Sequence, residues 1–376
     1  MNSYPRVPRV RSRVLIFTAT ATIVALFLLA ILRGSLMDTS FLLHASLAFS
    51  SVVPTRTALV PVSPQVAAAN GTLGFEKLLA LSAGPSWRTR GLAAAADLVG
   101  LEITIPRQPP LTDEAISSFQ ALAKGRDQQG PEYGSAKAWL AHIDLLRHVV
   151  ASDWRTAFIL EDDVDFDIAL KEQMQLVSRN VRDFSSTPDH DTSPYGSGSH
   201  DHPWDVLWPG HCGSLITNET LTDAHTFSDD TRIDTAAYAG WSKRFLRDAV
   251  DDGLRAIHDS HMSVCTFGYG VTAHGARKII RLASTDNGAK AFDVAMSDYC
   301  KDGRLRCLVV NPQVFHHYQP PVELGYVSQV RAGDGKGTSV EEDAFEGIMG
   351  STANIVNSAR CRALFGTTCL APPWEL

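Results

Sequence analysis

Five carboxylates crowd into the stretch Glu161-Asp162-Asp163-Val164-Asp165-Phe166-Asp167. Carboxylates this close repel one another unless a cation sits among them. Hard divalent cations such as Mn²⁺ or Mg²⁺ take oxygen ligands and fill the rest of their shell with water and substrate phosphates. The chemistry on offer is a metal held for a phosphate-bearing substrate, and the alternative is a solvated acidic turn. The preceding Ala157-Phe158-Ile159-Leu160 is an unbroken apolar run. Such a run reads as a strand buried on both faces, as in a parallel sheet. The acids then stand at the carboxyl end of the strand, where open α/β sheets place their ligands.

The elements that must position this cluster are legible around it. Phe75 to Leu81 reads as a first strand, Ser82 to Arg90 as a loop, Gly91 to Val99 as a helix and Leu101 to Ile105 as a second strand. This β-loop-α-β order opens a nucleotide-binding α/β fold, and Arg88 or Arg90 in the loop is a candidate to meet a diphosphate, the alternative for either being a solvated helix start. Tyr133 to Val150 carries Trp139, Ile143, Leu146 and Val150 at helical spacing, with Ser135 as N-cap. His142 beside that stripe reads as a packed core histidine. Ile168 to Phe184 reads as helix, and Ser185 to Pro203 as a long polar loop holding His190, His200 and His202. Strands follow at Trp204 to Trp208, Val264 to Thr272 and Leu305 to Val310. A helix runs from His274 to about Ala283, and Phe292 to Asp298 comes after it. The alternation predicts an α/β fold from about residue 73 to 318.

At 376 residues, 44% hydrophobic and 20% charged, the chain can bury a sizeable core. Its net charge of −7 and the lack of a basic, aromatic-interleaved stripe argue against nucleic acid as a partner. Arg6, Arg9, Arg11 and Arg13 precede an uncharged apolar run from Val14 to Leu32. That length suits an uncleaved helical membrane anchor, and the flanking charge puts the N-terminus in the cytosol; a signal peptide is the competitor. The stem, to about residue 70, holds Pro54, Pro61 and Pro64 and the apolar piece Phe41 to Val53, which is too short to span. Six cysteines suit an oxidising lumen, with Cys300–Cys307 and Cys361–Cys369 as local bridges and buried free thiols as the alternative. The sequons at Asn70 and Asn218 agree with that compartment.

Several blocks together resemble glycosyltransferase family 25, the group of lipopolysaccharide and procollagen galactosyltransferases, and especially its fungal members. They are Gly74-Phe75-Glu76-Lys77-Leu78-Leu79-Ala80-Leu81-Ser82, Gly134-Ser135 leading to Trp139 and His142, and Phe158 to Phe166. Trp204-Asp205-Val206-Leu207-Trp208-Pro209-Gly210-His211-Cys212-Gly213, Gly268 to Lys278 and Phe292-Asp293-Val294 complete the set. The resemblance covers about residues 71 to 320. It implies a GT-A-like nucleotide-binding mixed sheet flanked by helices, a nucleotide-sugar donor (commonly a UDP-sugar), Mn²⁺ and inversion at the anomeric carbon. It also implies that Glu161-Asp162-Asp163 stands at the acidic metal-and-ribose motif, Glu161 and Asp162 toward the donor and Glu161 and Asp163 toward the metal, with Asp163-Val164-Asp165 as an alternative register and His316 or His317 completing the metal shell. Asp293 stands first as the base for the acceptor hydroxyl, with Asp298 second. The chain departs from the family pattern at Ala83 to Arg90, which lacks the usual aspartate, and at Ala141, where a serine is common. A serine-aspartate pair is also missing beyond the late histidines.

The sequence thus predicts a single-pass type II membrane enzyme of the Golgi or endoplasmic reticulum. Its parts are a cytosolic tail (1–13), an anchor (14–32), a stem (33–70), a glycosyltransferase domain (71–320) and a C-terminal extension (321–376). The expected reaction moves a sugar, galactose or another hexose, from a nucleotide-sugar donor to a glycan or glycoprotein acceptor. The alternatives are a catalytically weak relative serving as a lumenal binding module, and a metal-dependent phosphoesterase.

Overall fold

The computed structural model describes residues 62–124, 130–196, 204–286, 290–328, 330 and 342–373. The expected tail, anchor and most of the stem lie outside these, as do His200 and His202. Among the described residues no helix is long and apolar enough to cross a membrane.

The chain from Pro61 onward forms one compact unit. Strand β1 (Lys77–Leu81), helix α1 (Trp87–Val99) and strand β2 (Ile103–Thr104) make the predicted opening, with β1 and β2 parallel. Helix α2 (Asp113–Lys124) and helix α3 (Tyr133–Ala151) lead to β3 (Thr156–Glu161), the acidic-ended strand, which pairs parallel with β1. A tight turn then reverses the chain into β4 (Val164–Phe166), and helix α4 (Leu170–Phe184) follows. Strands β5 (Val206–Gly210), β6 (Gly213–Ser214), β7 (His225–Ser228), β8 (Leu254–Asp259), β9 (Ser263–Val264) and β10 (Gly268–Thr272) come next. Helices α5 (Ala273–Asp286) and α6 (Phe292–Lys301) precede β11 (Cys307–Asn311) and β12 (Phe315–Gln319). The chain closes with β13 (Ser351–Thr352) and helix α7 (Ala359–Phe365).

The main sheet runs β2-β1-β3-β10-β5-β11-β8-β7, and β12 ties β4, β5 and β13 onto it. Strands β2, β1, β3, β5 and β11 point one way, and β10 runs antiparallel between β3 and β5. The predicted α/β class with a mixed sheet flanked by helices is therefore present. Alternating residues of β3 feed opposite layers, as strand geometry requires. Phe158 and Leu160 pack with α1 and α4 on one face, and Ala157 and Ile159 with α3, α5 and α6 on the other. Each such fully buried large apolar side chain contributes about 1.5–3 kcal/mol, which is what fixes the register of this strand.

Three expectations are corrected. Helix α1 begins at Trp87, because Ser86 and Thr89 form a reciprocal capping box, so Arg88 and Arg90 sit on its first turn. Ser135 lies inside α3, whose N-cap is Glu132 without a side-chain cap bond. The strand expected over Val264 to Thr272 is two strands, broken by a loop in which Cys265 takes a left-handed φ of 67°. Residues 342–373, within the expected C-terminal extension, pack into the same unit: β13 pairs with β12, and Arg360 and Cys361 of α7 are fully buried. All six cysteines are paired, as Cys212–Cys265, Cys300–Cys307 and Cys361–Cys369. The latter two are the local bridges foreseen in the sequence.

Candidate active site at the end of strand β3

Leu81 and Glu161 are register partners, so the parallel strands β1 and β3 finish level. Beyond β1 the chain passes Ser82 and is capped at Ser86, whose hydroxyl accepts from the Arg88 N–H at 3.2 Å. Helix α1 therefore starts beside the acidic turn. The Arg88 guanidinium, almost fully buried, lies 3.7 Å from Asp163 Oδ2. A helix start adds positive partial charge there.

A second cation lies beneath the turn. Arg360 has no exposed surface. Its Nη2 donates to the carbonyls of Arg88, Asp162 and Val164 at 3.1, 2.9 and 3.2 Å. It reaches them past Gly91, where a Cβ would stand 2.5 Å from Arg360 Nη1. Gly91→Ala is therefore expected to displace Arg360 and cost about 1–3 kcal/mol in overpacking, read by urea denaturation.

The other flank of Glu161 is a chain of hydrogen bonds. Thr266 Oγ1 donates to Glu161 Oε1 at 2.8 Å and faces His142 Nε2 at 3.2 Å, while His142 Nδ1 meets the Tyr269 hydroxyl at 3.1 Å. Burial holds the His142 pKa down to about 3, so the ring is neutral. With the Thr266 proton on Glu161, the threonine accepts from His142 Nε2–H, and Tyr269 O–H donates to Nδ1. The ring also stacks on Phe292 at 4.4 Å. His142 is the packed core histidine expected, and it braces the site through Thr266. Asp293, on the first turn of α6, accepts from the Cys265 N–H at 2.7 Å and the Val294 N–H at 2.9 Å, and its charge is felt at Glu161.

Crowding shows in the proton affinities. Burial, and then Asp163, raise the Glu161 pKa to about 8, with Asp293 and Asp162 adding to the rise and Thr266 opposing it. Burial and Asp163 raise Asp162 to about 6, while Ser82, Arg88 and Arg360 pull it back part of the way. Both carboxyls hold protons far more tightly than ordinary surface acids.

The structure gathers Arg88, Glu161, Asp162, Asp163 and Asp293 around one turn, and it does not gather the rest of the expected set. Asp165 is fully buried and accepts from Ser358 Oγ at 2.5 Å, from the Arg360 N–H at 3.2 Å and from its neighbour Phe166. Its lone pairs are spent on the C-terminal segment, which removes it from the metal register. Asp167 is spent likewise, on the N–H groups of Ala169 and Asn357. Arg90 pairs with Glu346 at 2.5 Å, away from the acidic turn. Asp298 pairs with Lys290 at the surface. His316 is buried with its ring 4.9 Å from Phe267 and 4.7 Å from His317. Among the described residues, no three His, Cys, Asp or Glu side chains stand close enough together to hold a metal ion. The four-residue shell of Glu161, Asp163, Asp165 and His316 is therefore not assembled.

A divalent cation still fits the donor chemistry that remains. Glu161 is 31% and Asp163 22% exposed at the side chain, and the Glu161 pKa, raised by burial first and by Asp163 second, includes a repulsion that a cation would relieve. Two carboxylates plus phosphate oxygens is an ordinary way to hold Mg²⁺ or Mn²⁺. Sequence reading missed Arg360, Ser358 and Thr266, none of which carries a local signal. Compared with known protein families and with curated proteins, the chain finds no match.

Proposed function

We propose that the chain is a metal-dependent inverting glycosyltransferase, with a GT-A-like sheet, that takes a UDP-sugar or similar donor. The observation that carries this reading is the acidic turn Glu161–Asp163 at the level ends of two parallel strands, with Arg88 of a capped helix on one side and Asp293 on the other. Arg88 is placed to bind a diphosphate oxygen, and Asp162 to orient the donor. Glu161 and Asp163 would hold Mn²⁺ or Mg²⁺, which when bound supplies Lewis-acid neutralisation of the leaving diphosphate. Asp293 takes the proton of the acceptor hydroxyl, and each of its oxygens is oriented by one backbone N–H, from Cys265 and from Val294. Three disulfides, and the charge-flanked apolar run at 14–32, support a type II protein of the secretory lumen acting on a glycan or glycoprotein.

The test is hydrolysis of a panel of UDP- and GDP-sugars by the unit from Pro61, with Mn²⁺ and with EDTA. One donor is expected to turn over, EDTA to stop it, and Asp163→Ala to slow it by about 100-fold or more. Among the described residues no three His, Cys, Asp or Glu side chains group together, which favours a second reading, a lumenal binding module. Nucleotide binding without turnover of any donor, in the presence of glycan acceptors, would establish that reading instead.

A further inference from the structure

The loop between β9 and β10 touches both carboxylates that flank the proposed reaction centre. Cys265 N–H donates to Asp293 at 2.7 Å, Thr266 Oγ1 to Glu161 at 2.8 Å, and the Phe267 carbonyl accepts from the Glu161 N–H at 3.2 Å. Three consecutive residues thus aim the base on one side and an acid of the turn on the other. The loop holds this shape although Cys265 sits at a φ of 67°, a region that side chains rarely adopt. Its restraints are the Trp208 indole N–H on the Cys265 carbonyl at 3.0 Å and the covalent bond to Cys212. Cys212 is itself fixed by its N–H on the Val264 carbonyl at 2.9 Å.

This bridge differs from the other two. Cys300, Cys307, Cys361 and Cys369 are all buried, whereas Cys212 and Cys265 are only partly buried at the edge of the core. Access is one of the determinants of thiol–disulfide exchange. We propose that the Cys212–Cys265 disulfide is a reducible positioning device: closed, it holds Cys265 and Thr266 on Asp293 and Glu161, and opened by a dithiol it uncouples sugar transfer from donor binding. In that step the S–S bond breaks, a thiol forms on each cysteine, and the reductant leaves as its own disulfide. Cys265 and Thr266 are positioning residues, because they act through the two carboxylates. The kinetic half of the proposal rests on the transferase reading; the structural half does not.

The experiment uses the full chain under limiting dithiothreitol, with alkylation mapped by mass spectrometry and hydrogen exchange followed at the Cys265 amide. Cys212 and Cys265 are expected to label before the other four cysteines, and the Cys265 amide to lose protection. In the C212S/C265S protein kcat is expected to fall about 100-fold, as for a misplaced reacting group, while the donor KM holds. Thr266→Val should share the loss and Thr266→Ser should keep the activity. Unchanged kcat in C212S/C265S, or earlier labelling at another bridge, would overturn the proposal. If the untreated protein turns over no donor, the transferase reading fails, and the amide decides: protection lost on reduction supports the positioning role, and protection kept refutes it.

Discussion

Arg360→Ala is expected to destabilise the fold by about 3–5 kcal/mol, the usual cost of removing one partner from a buried charge network. The guanidinium has no exposed surface, and its Nη2 serves three backbone carbonyls around the acidic turn. It also opposes the charges of Asp165, Asp163 and Asp162, in that order of strength. Alanine strands Asp165 in a site with no solvent and leaves the Arg88, Asp162 and Val164 carbonyls short of a donor. Arg360→Lys keeps the charge but not the planar fork, so it should recover only part of the loss. Asp165→Asn in the Arg360→Ala background should restore stability relative to Arg360→Ala alone, because the stranded charge is gone; the coupling of the double-mutant cycle measures the pair. Urea denaturation of the five proteins (wild type, Arg360→Ala, Arg360→Lys, Asp165→Asn and the double variant) reads all of this. A loss under about 1 kcal/mol for Arg360→Ala would mean that the turn is not held by this residue, since a surface ion pair is worth that much.

The arrangement beneath the turn explains which parts of the site the sequence could show. The apolar run into Glu161 was readable because burial on both faces leaves a local signature. The start of the helix that carries Arg88 is hidden in the sequence, because Ser86-x-x-Thr89 uses threonine where the familiar box has Glu or Gln. Five adjacent carboxylates carried no mark of how they divide. Glu161, Asp162 and Asp163 face the turn, while Asp165 and Asp167 are consumed by Asn357, Ser358 and Arg360. That division depends on partners some 190 residues away, in a tail without hydrophobic periodicity. Cys265 was likewise hidden inside what read as one strand, because a left-handed residue other than glycine has no local signal. Metal geometry was the least legible part, since ligand sets are made by tertiary placement and not by spacing in a loop.

The second large effect belongs to Glu161 and separates a functional cluster from a solvated acidic turn. Its carboxyl titrates at about 8 in the folded chain, against 4.5 without the fold's influence. Between those values the folded state binds more protons than the unfolded state, so stability is greatest below the lower value and falls as pH rises through the window. Asp162, raised from 3.8 to about 6, acts with the same sign. The buried neutral rings of His142, His211 and His258 act oppositely, losing stability as pH falls below 6.5. The clean measurement is therefore the difference between the wild type and Glu161→Gln, which keeps an acceptor for Thr266 and removes the charge. At pH 5 the two should unfold alike. By pH 8.5 Glu161→Gln should be the more stable by about 1–3 kcal/mol, less than the whole shift would give because the side chain is 31% exposed and water screens it. Mn²⁺ should close that gap by stabilising the wild type in proportion to its binding, and the variant should lose turnover. A difference that stays flat from pH 5 to 8.5, with no response to Mn²⁺, would mean that Glu161 is ionised and solvated throughout, and that the turn is not a site built at the expense of stability.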